Sequence, residues 1–246
     1  MPNWGTEVPA HTLSLSEGYP RFSVFWRIQH LLWALSFLVL QVTGFALWFS
    51  GAAWADAVTA LCGGGEGRML VHRMAAGVFI AVAVVHVAAF GWNPKRWRGI
   101  WLFKEDWLDM GRYLRYLLGH RPSPPPMGRY TCYQKIEYWE TVLGGTIMIS
   151  TGLIMGPGLE WALAQLPPRT LLYAQVFHLA EAALGLAVVV VWHLYRTVLR
   201  PKVFPMDWSW LTGRIDGETL AYDHARYWAQ LQAEKSQEGD RTAKPE

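Results

Sequence analysis

Cysteine is nearly absent from this chain, with two in 246 residues, Cys62 and Cys132. Two thiols exclude a disulfide scaffold, a cysteine-ligated zinc site and iron–sulfur ligation by this chain alone. No Cys-x-x-Cys-His run occurs, which excludes covalently attached c-type haem. Charge is scarce too: 17% of residues are Asp, Glu, Lys or Arg, against about a quarter in soluble domains. With 52% hydrophobic residues and a mean hydropathy of +0.11, that scarcity excludes a disordered chain and argues against a water-soluble one. The N-terminus also lacks a short apolar run followed by a small-residue cleavage site, so the first apolar stretch is expected to be retained.

What is abundant is tryptophan, at fifteen residues. Its apolar body and polar N–H suit the membrane–water interface. The net charge of +3 reads as cytoplasmic-side loops rather than as a nucleic-acid surface, so no nucleic-acid partner is expected. The chain is expected to be an integral membrane protein in contact with lipid.

Spanning a bilayer takes about 20 apolar residues. Four stretches qualify, at 28–49, 69–90, 139–159 and 171–199. They predict an all-α bundle of four transmembrane helices in a membrane domain over 26–200. An N-terminal segment (1–25) precedes it, and a polar, amphipathic tail (201–246) follows. The first two spans are joined by a Gly-rich turn with Gly63, Gly64 and Gly65, and the last two by a short loop with Pro157, Pro167 and Pro168. The central loop, 91–135, holds Lys95, Arg96, Arg98, Lys104, Arg112, Arg115, Arg121, Arg129 and Lys135, whereas the other two loops offer Arg68 and Arg169. The positive-inside rule then places both termini and the central loop in the cytoplasm, in a multi-pass protein of a bacterial inner membrane. Cys62 and Cys132 fall on opposite sides and cannot pair.

The two halves repeat. Arg27-Ile28-Gln29-His30 is followed by Thr43-Gly44 sixteen residues after Arg27, and Lys135-Ile136-Glu137-Tyr138 by Thr151-Gly152 sixteen residues after Lys135. The helix after each carries a spaced histidine pair, His72 with His86 and His178 with His193.

Five histidines inside spans, with His30, are a functional signal, because ionisable groups in the membrane are rare and costly. Spacings of 14 and 15 residues separate each pair by roughly 21–22 Å along its helix, near one face. One metal cannot bridge that distance, so each helix serves two centres at different depths. Two stacked b-type haems with axial imidazoles need this arrangement. By depth, His72 and His178 ligate an outer haem. His193 lies at the inner level, where both His30 and His86 are available and the repeat favours His86.

The chain resembles the cytochrome b (gamma) subunit of membrane-bound formate dehydrogenase, and the related subunits of hydrogenases and thiosulfate reductase. The resemblance is carried by Arg27-Ile28-Gln29-His30 with Thr43-Gly44, Gly67-Arg68-Met69-Leu70-Val71-His72, and Gln134-Lys135 with Thr151-Gly152. The helix from His178 to His193 and the stretch His224-Ala225-Arg226-Tyr227-Trp228 carry it further. It implies iron ligation by His30 with His193 and by His72 with His178. The family's fourth-helix pair is 14 apart and here 15, a difference that a π-bulge or a tilted ring absorbs. His86 has no ligand counterpart there and is left as a packing residue, the inner ligand, or the ligand of a third haem. Gly44, Gly77, Gly145 and Gly185 suit close approach of a porphyrin or of a neighbouring helix. Arg21, Arg27, Arg73 and Arg196 suit haem propionates or interface anchoring. Glu181, a carboxyl within the fourth span, is a candidate for proton handling.

The resemblance also implies a quinone site beside the inner haem, in the segment leading into the third span. Of the family's Asn-Ala-Gly-Gln-Lys run only Gln134-Lys135 are kept, and Tyr133 stands where the family has glycine. Gln134, Lys135, Glu137 and His193 supply hydrogen-bond donors and a proton route. The expected function is transfer of electrons between quinone and a periplasmic-side iron–sulfur or multihaem cytochrome c subunit, by a membrane subunit with no catalytic residue of its own apart from quinone chemistry. The alternatives are a free-standing dihaem cytochrome b and a haem-free anchor or transporter.

Overall fold

The computed structural model describes residues 13–91, 94–156, 164–167 and 169–242. Pro157, Pro168 and the end of the expected third span at 157–159 lie outside the described residues. In chain order the described elements are β1 (Gly18–Pro20), α1 (Val24–Trp48), α2 (Ala53–Leu61), α3 (Gly65–Gly91), α4 (Pro94–Ile100), α5 (Lys104–Leu117), α6 (Cys132–Met155), α7 (Thr170–Ala187), α8 (Ser209–Thr212), β2 (Arg214–Asp216), α9 (Gly217–Asp223) and α10 (Ala225–Thr242). Two π-helical stretches, Val188–His193 and Tyr195–Leu199, prolong α7.

The chain divides into two compact units. One comprises residues 28–89 and 140–206 and contains most of the long apolar helices. Three helices are long and apolar enough to cross a membrane among the described residues: Val24–Trp48, Gly65–Gly91 and Thr170–Leu199. The expected third span corresponds to α6, 24 residues long, whose first turns carry Lys135, Glu137 and Glu140. Those charges confine its apolar run to the remaining turns, and α6 is not among the three.

The polarity of α1 is inverted relative to a soluble helix. Its buried residues are Gln29, Ser36, Gln41, Thr43 and Ala46, while Leu31, Leu35, Leu38 and Val42 are exposed. Lipid is as apolar as leucine, so burial of leucine is not rewarded, and the polar and small residues turn inward where they find partners. Ser36 Oγ, for example, donates to the Leu32 carbonyl at 2.8 Å.

The turn expected between the first two spans is more than a turn. Residues Ala53–Leu61 form α2, preceded by Gly51 and followed by Gly63 and Gly64, all three with positive φ. Asp56 in the first turn accepts from the Gly51 N–H at 3.1 Å and fixes the entry to this helix.

The other unit gathers residues 1–27, 90–139 and 207–246. The sequence reading kept the N-terminal segment, the central loop and the tail apart, but the chain ends pair directly. β1 and β2 form an antiparallel ribbon with Tyr19 opposite Ile215. Tyr19, Ile215 and Leu220 make a small core, against which Trp228 packs edge-on at 5.6 Å. Gly213, in the left-handed region at φ 78°, ends α8, and its carbonyl accepts from the N–H groups of Arg21 (2.7 Å) and Phe22 (3.1 Å). Asp216 caps α9 through Thr219 N at 2.7 Å. The buried Asp109 of α5 binds Arg112 and Arg226, each at 2.9 Å, and ties α10 to α5. Such long-range pairings leave no periodic trace in sequence, which is why the tail read as amphipathic and separate.

Candidate functional site

Two of the five histidines face each other across separate helices. His30, from the first half of α1, and His193, at the end of the first π-helical stretch, have ring centroids 6.3 Å apart and planes tilted by 35°. A metal–imidazole bond is about 2.0–2.1 Å long, so two imidazoles on opposite sides of one metal hold their centroids about 6 Å apart once the ring radii are added. The observed spacing is one at which both imidazoles could hold the same iron. The extra residue between His178 and His193 is taken up by the π-helical stretch, in which the Leu194 N–H reaches back five residues to the Val189 carbonyl.

His72 lies on α3 and His178 on α7. Each is held by a threonine from the preceding long helix. Thr43 Oγ1 is 2.8 Å from His72 Nδ1, and Thr151 Oγ1 is 2.8 Å from His178 Nδ1. The glycine after each threonine borders the ring, at a distance where a Cβ would make ordinary contact. A Cβ at Gly44 would stand 3.4 Å from His72 Cε1, and one at Gly152 would stand 3.4 Å from His178 Cε1. The repeated Thr-Gly doublets therefore act on the histidine rings.

His86 is arranged differently. Its Nδ1 lies 3.1 Å from the Gln29 side-chain oxygen, and Trp33 packs edge-on to the ring at 5.5 Å. Gln29 is buried, so the contact gives one polar atom of α1 a partner inside the apolar unit.

Among the arginines, Arg27 donates to the Leu211 carbonyl and Arg73 is exposed beside His72. Arg21 is buried and donates to the Arg129 carbonyl at 2.7 Å and to Gln134 at 3.4 Å. Arg68, read from sequence as a loop cation, is 6% exposed, lies one turn before His72 on α3, and donates to the Thr43 carbonyl at 2.7 Å. Its spacing of four from His72 is the signal that places both on one helix face. Glu181 lies against Gly144 of α6, with Glu140 nearby.

Tyr133, Gln134 and Lys135, considered for quinone, are engaged in the fold. Tyr133 is buried and packs on Tyr113 at 5.0 Å. Gln134 accepts from the Thr131 N–H at 3.0 Å as well as from Arg21, so its amide N–H groups are what it can offer a ligand. Lys135 pairs with Asp106 at 2.9 Å, donates to the Trp101 carbonyl at 3.2 Å, and stands 5.6 Å from the Phe103 ring centroid. Glu137, half-buried on the next turn of α6, completes the group. A belt of rings flanks this segment: Trp139 Nε1 donates to the Ile100 carbonyl at 3.1 Å, and its ring meets Trp101 edge-on.

The family model described as prokaryotic cytochrome b561 matches residues 21–204, well over half of the chain. No curated protein matches it.

Proposed function

The chain belongs to the prokaryotic cytochrome b561 family, membrane electron-transfer proteins that bind b-type haem, and on that premise we propose that it holds two haems b and carries electrons between quinone and an external redox partner. The observation behind this reading is the facing of two imidazoles from separate helices, His30 and His193, at 6.3 Å. The donor set suits the group: imidazoles with no thiolate among them. Haem b supplies a one-electron iron couple when bound. His30 and His193 would hold the inner haem and His72 with His178 the outer one, while the buried Arg68 would offer a counter-charge to a propionate of the outer haem.

The helix α6 is the fourth span, with its charged first turns at the cytoplasmic interface. Quinone binds at those turns, taking hydrogen bonds from the Gln134 amide and exchanging protons through Glu137, while Lys135 and Tyr133 hold the segment in place. The chain lacks iron–sulfur ligands, so a separate periplasmic-side iron–sulfur or multihaem cytochrome c subunit completes the electron path. Both termini lie in the cytoplasm, at a bacterial inner membrane.

Haem b per polypeptide, measured as the pyridine haemochrome together with a reduced-minus-oxidised spectrum, tests this. Two per chain is the expected result. Any other stoichiometry overturns the two-haem assignment.

A further inference from the structure

We propose that Thr43 and Thr151 are positioning residues that lock His72 and His178 into a single tautomer, with Nε2 bare for iron, and thereby set the potential of the outer haem. This rests on the two-haem reading above.

The argument is one of proton counting. A threonine hydroxyl has one proton to give and two lone pairs to accept with. Thr43 Oγ1 lies 2.6 Å from the Val39 carbonyl, and Thr151 Oγ1 lies 2.6 Å from the Ile147 carbonyl, each four residues back on its own helix. A carbonyl only accepts, so each hydroxyl proton is committed there. Towards the histidine at 2.8 Å the hydroxyl can then only accept, and the proton between them belongs to the ring: Nδ1 carries N–H. A neutral imidazole has one N–H, which leaves Nε2 with its lone pair. Both threonines are buried, at 3% and 8% exposure, so water does not compete for the contact.

The device is built twice, once in each half of the repeat, with the same two distances. The fixed partners around it strengthen the case. Arg68 holds the Thr43 carbonyl at 2.7 Å, and Gly44 and Gly152 border the two rings. A hydrogen bond accepted from Nδ1–H makes the imidazole a stronger electron donor, which favours ferric over ferrous iron. Losing it raises the midpoint potential.

The test uses the full haem-loaded chain with Thr43→Val, Thr151→Val, Thr43→Ser and Thr151→Ser. Haem content, redox titration and the ferric electron paramagnetic resonance g-values are read for each. Each valine variant should shift the same one of the two haem transitions upward by about tenfold in the ferric/ferrous ratio, which is 59 mV for one electron. Its g-values should move with it, and the serine variants should stay at the native potential. A valine variant that loses one haem while its serine counterpart keeps both also supports the lock. Two haems with unchanged potentials in both valine variants, or serine variants that behave like valine, overturn it. A native protein without haem b overturns the two-haem reading instead, and the haem content tells the two failures apart.

Discussion

The imidazoles of His30 and His193 face each other at 6.3 Å between centroids, while the His86 Nδ1 lies against Gln29 at 3.1 Å. If the first pair ligates iron and the second contact is internal packing, the three histidines differ under substitution. His30→Ala and His193→Ala should each lower haem b from two to one per chain. His86→Ala should leave two and cost stability, because it strands the buried Gln29 amide, an orphaned polar group worth about 1–3 kcal/mol. Pyridine haemochrome on the three purified variants decides this, and a loss of haem from His86→Ala alone would make His86 the ligand.

Lys135 and Asp106 form an ion pair with only 11% and 13% of their side-chain surfaces exposed. Asp106 also accepts from the Phe103 N–H at 2.9 Å, so one carboxylate both starts α5 and anchors α6. Removing it leaves the Lys135 ammonium buried without its counter-charge. Breaking such a pair from one side costs about 3–5 kcal/mol. Asp106→Asn should therefore lower the unfolding midpoint of the unit that contains it, read from the fluorescence of Trp97, Trp101 and Trp139. The haem content, which depends on histidines of the other unit, should be unchanged.

The histidines of the candidate site were legible in the sequence, and the framework around them much less so. Five membrane histidines stood out in the sequence, and two of them, His30 and His193, face each other. For the spacing of 15 between His178 and His193 a π-bulge or a tilted ring was open, and a π-helical stretch ends at His193. The Thr-Gly doublets stood out as a repeat, but their purpose did not, because a sequence cannot show that the hydroxyl of Thr43 reaches a ring on another helix. Repeat symmetry also pointed at His86 as the partner of His193, whereas in space His30 is the ring that faces it. Arg68 read as a loop charge because the boundary of α3 lies three residues before it, closer to the turn than hydropathy alone suggests. The ribbon of Gly18–Pro20 with Arg214–Asp216 joins the two ends of the chain, and three-residue strands are too short to carry an alternation.

His224 supplies a pH dependence. It is 3% exposed, its Nδ1 donates to the Gly128 carbonyl at 2.8 Å, and burial, with Arg21 nearby, pushes its pKa down to about 3. The fold holds it neutral, while the unfolded chain protonates it near 6.5. Above pH 6.5 both states are neutral and its contribution is complete. Between about 6.5 and 3 the unfolded state alone takes up the proton, so stability falls with falling pH by at most about 1.4 kcal/mol per unit. The amides of Arg226 and Tyr227, which both donate to the Met127 carbonyl, report on this contact. Their hydrogen-exchange protection, corrected for intrinsic rates, should drop between pH 7.5 and 5.5 in the native protein. In His224→Gln that drop should be much smaller.

Two close approaches to glycine separate what the bundle tolerates from what it does not. A Cβ at Gly144 would strike Glu181 Oε1 and come within 3.1 Å of its Cδ. Those atoms end a flexible side chain, so the carboxyl swings aside and α6 and α7 need not part. A Cβ at Gly67 would strike the carbonyl oxygen of Cys62 and lie 2.9 Å from its carbon, and backbone has nowhere to swing. Gly67→Ala should therefore force apart the junction between α2 and α3, one residue before Arg68 and five before His72. Overpacking of this kind costs about 1–3 kcal/mol, with the rigid case at the upper end and the flexible one at the lower. Thermal melting should show a clearly larger fall for Gly67→Ala than for Gly144→Ala. Adding Glu181→Ala should recover what Gly144→Ala loses, because the struck atoms are then gone. The same second substitution should do nothing for Gly67→Ala, whose obstacle lies in the Cys62 peptide. Equal melting points for the two glycine variants would mean that the turn at Cys62 gives way as easily as the end of a side chain.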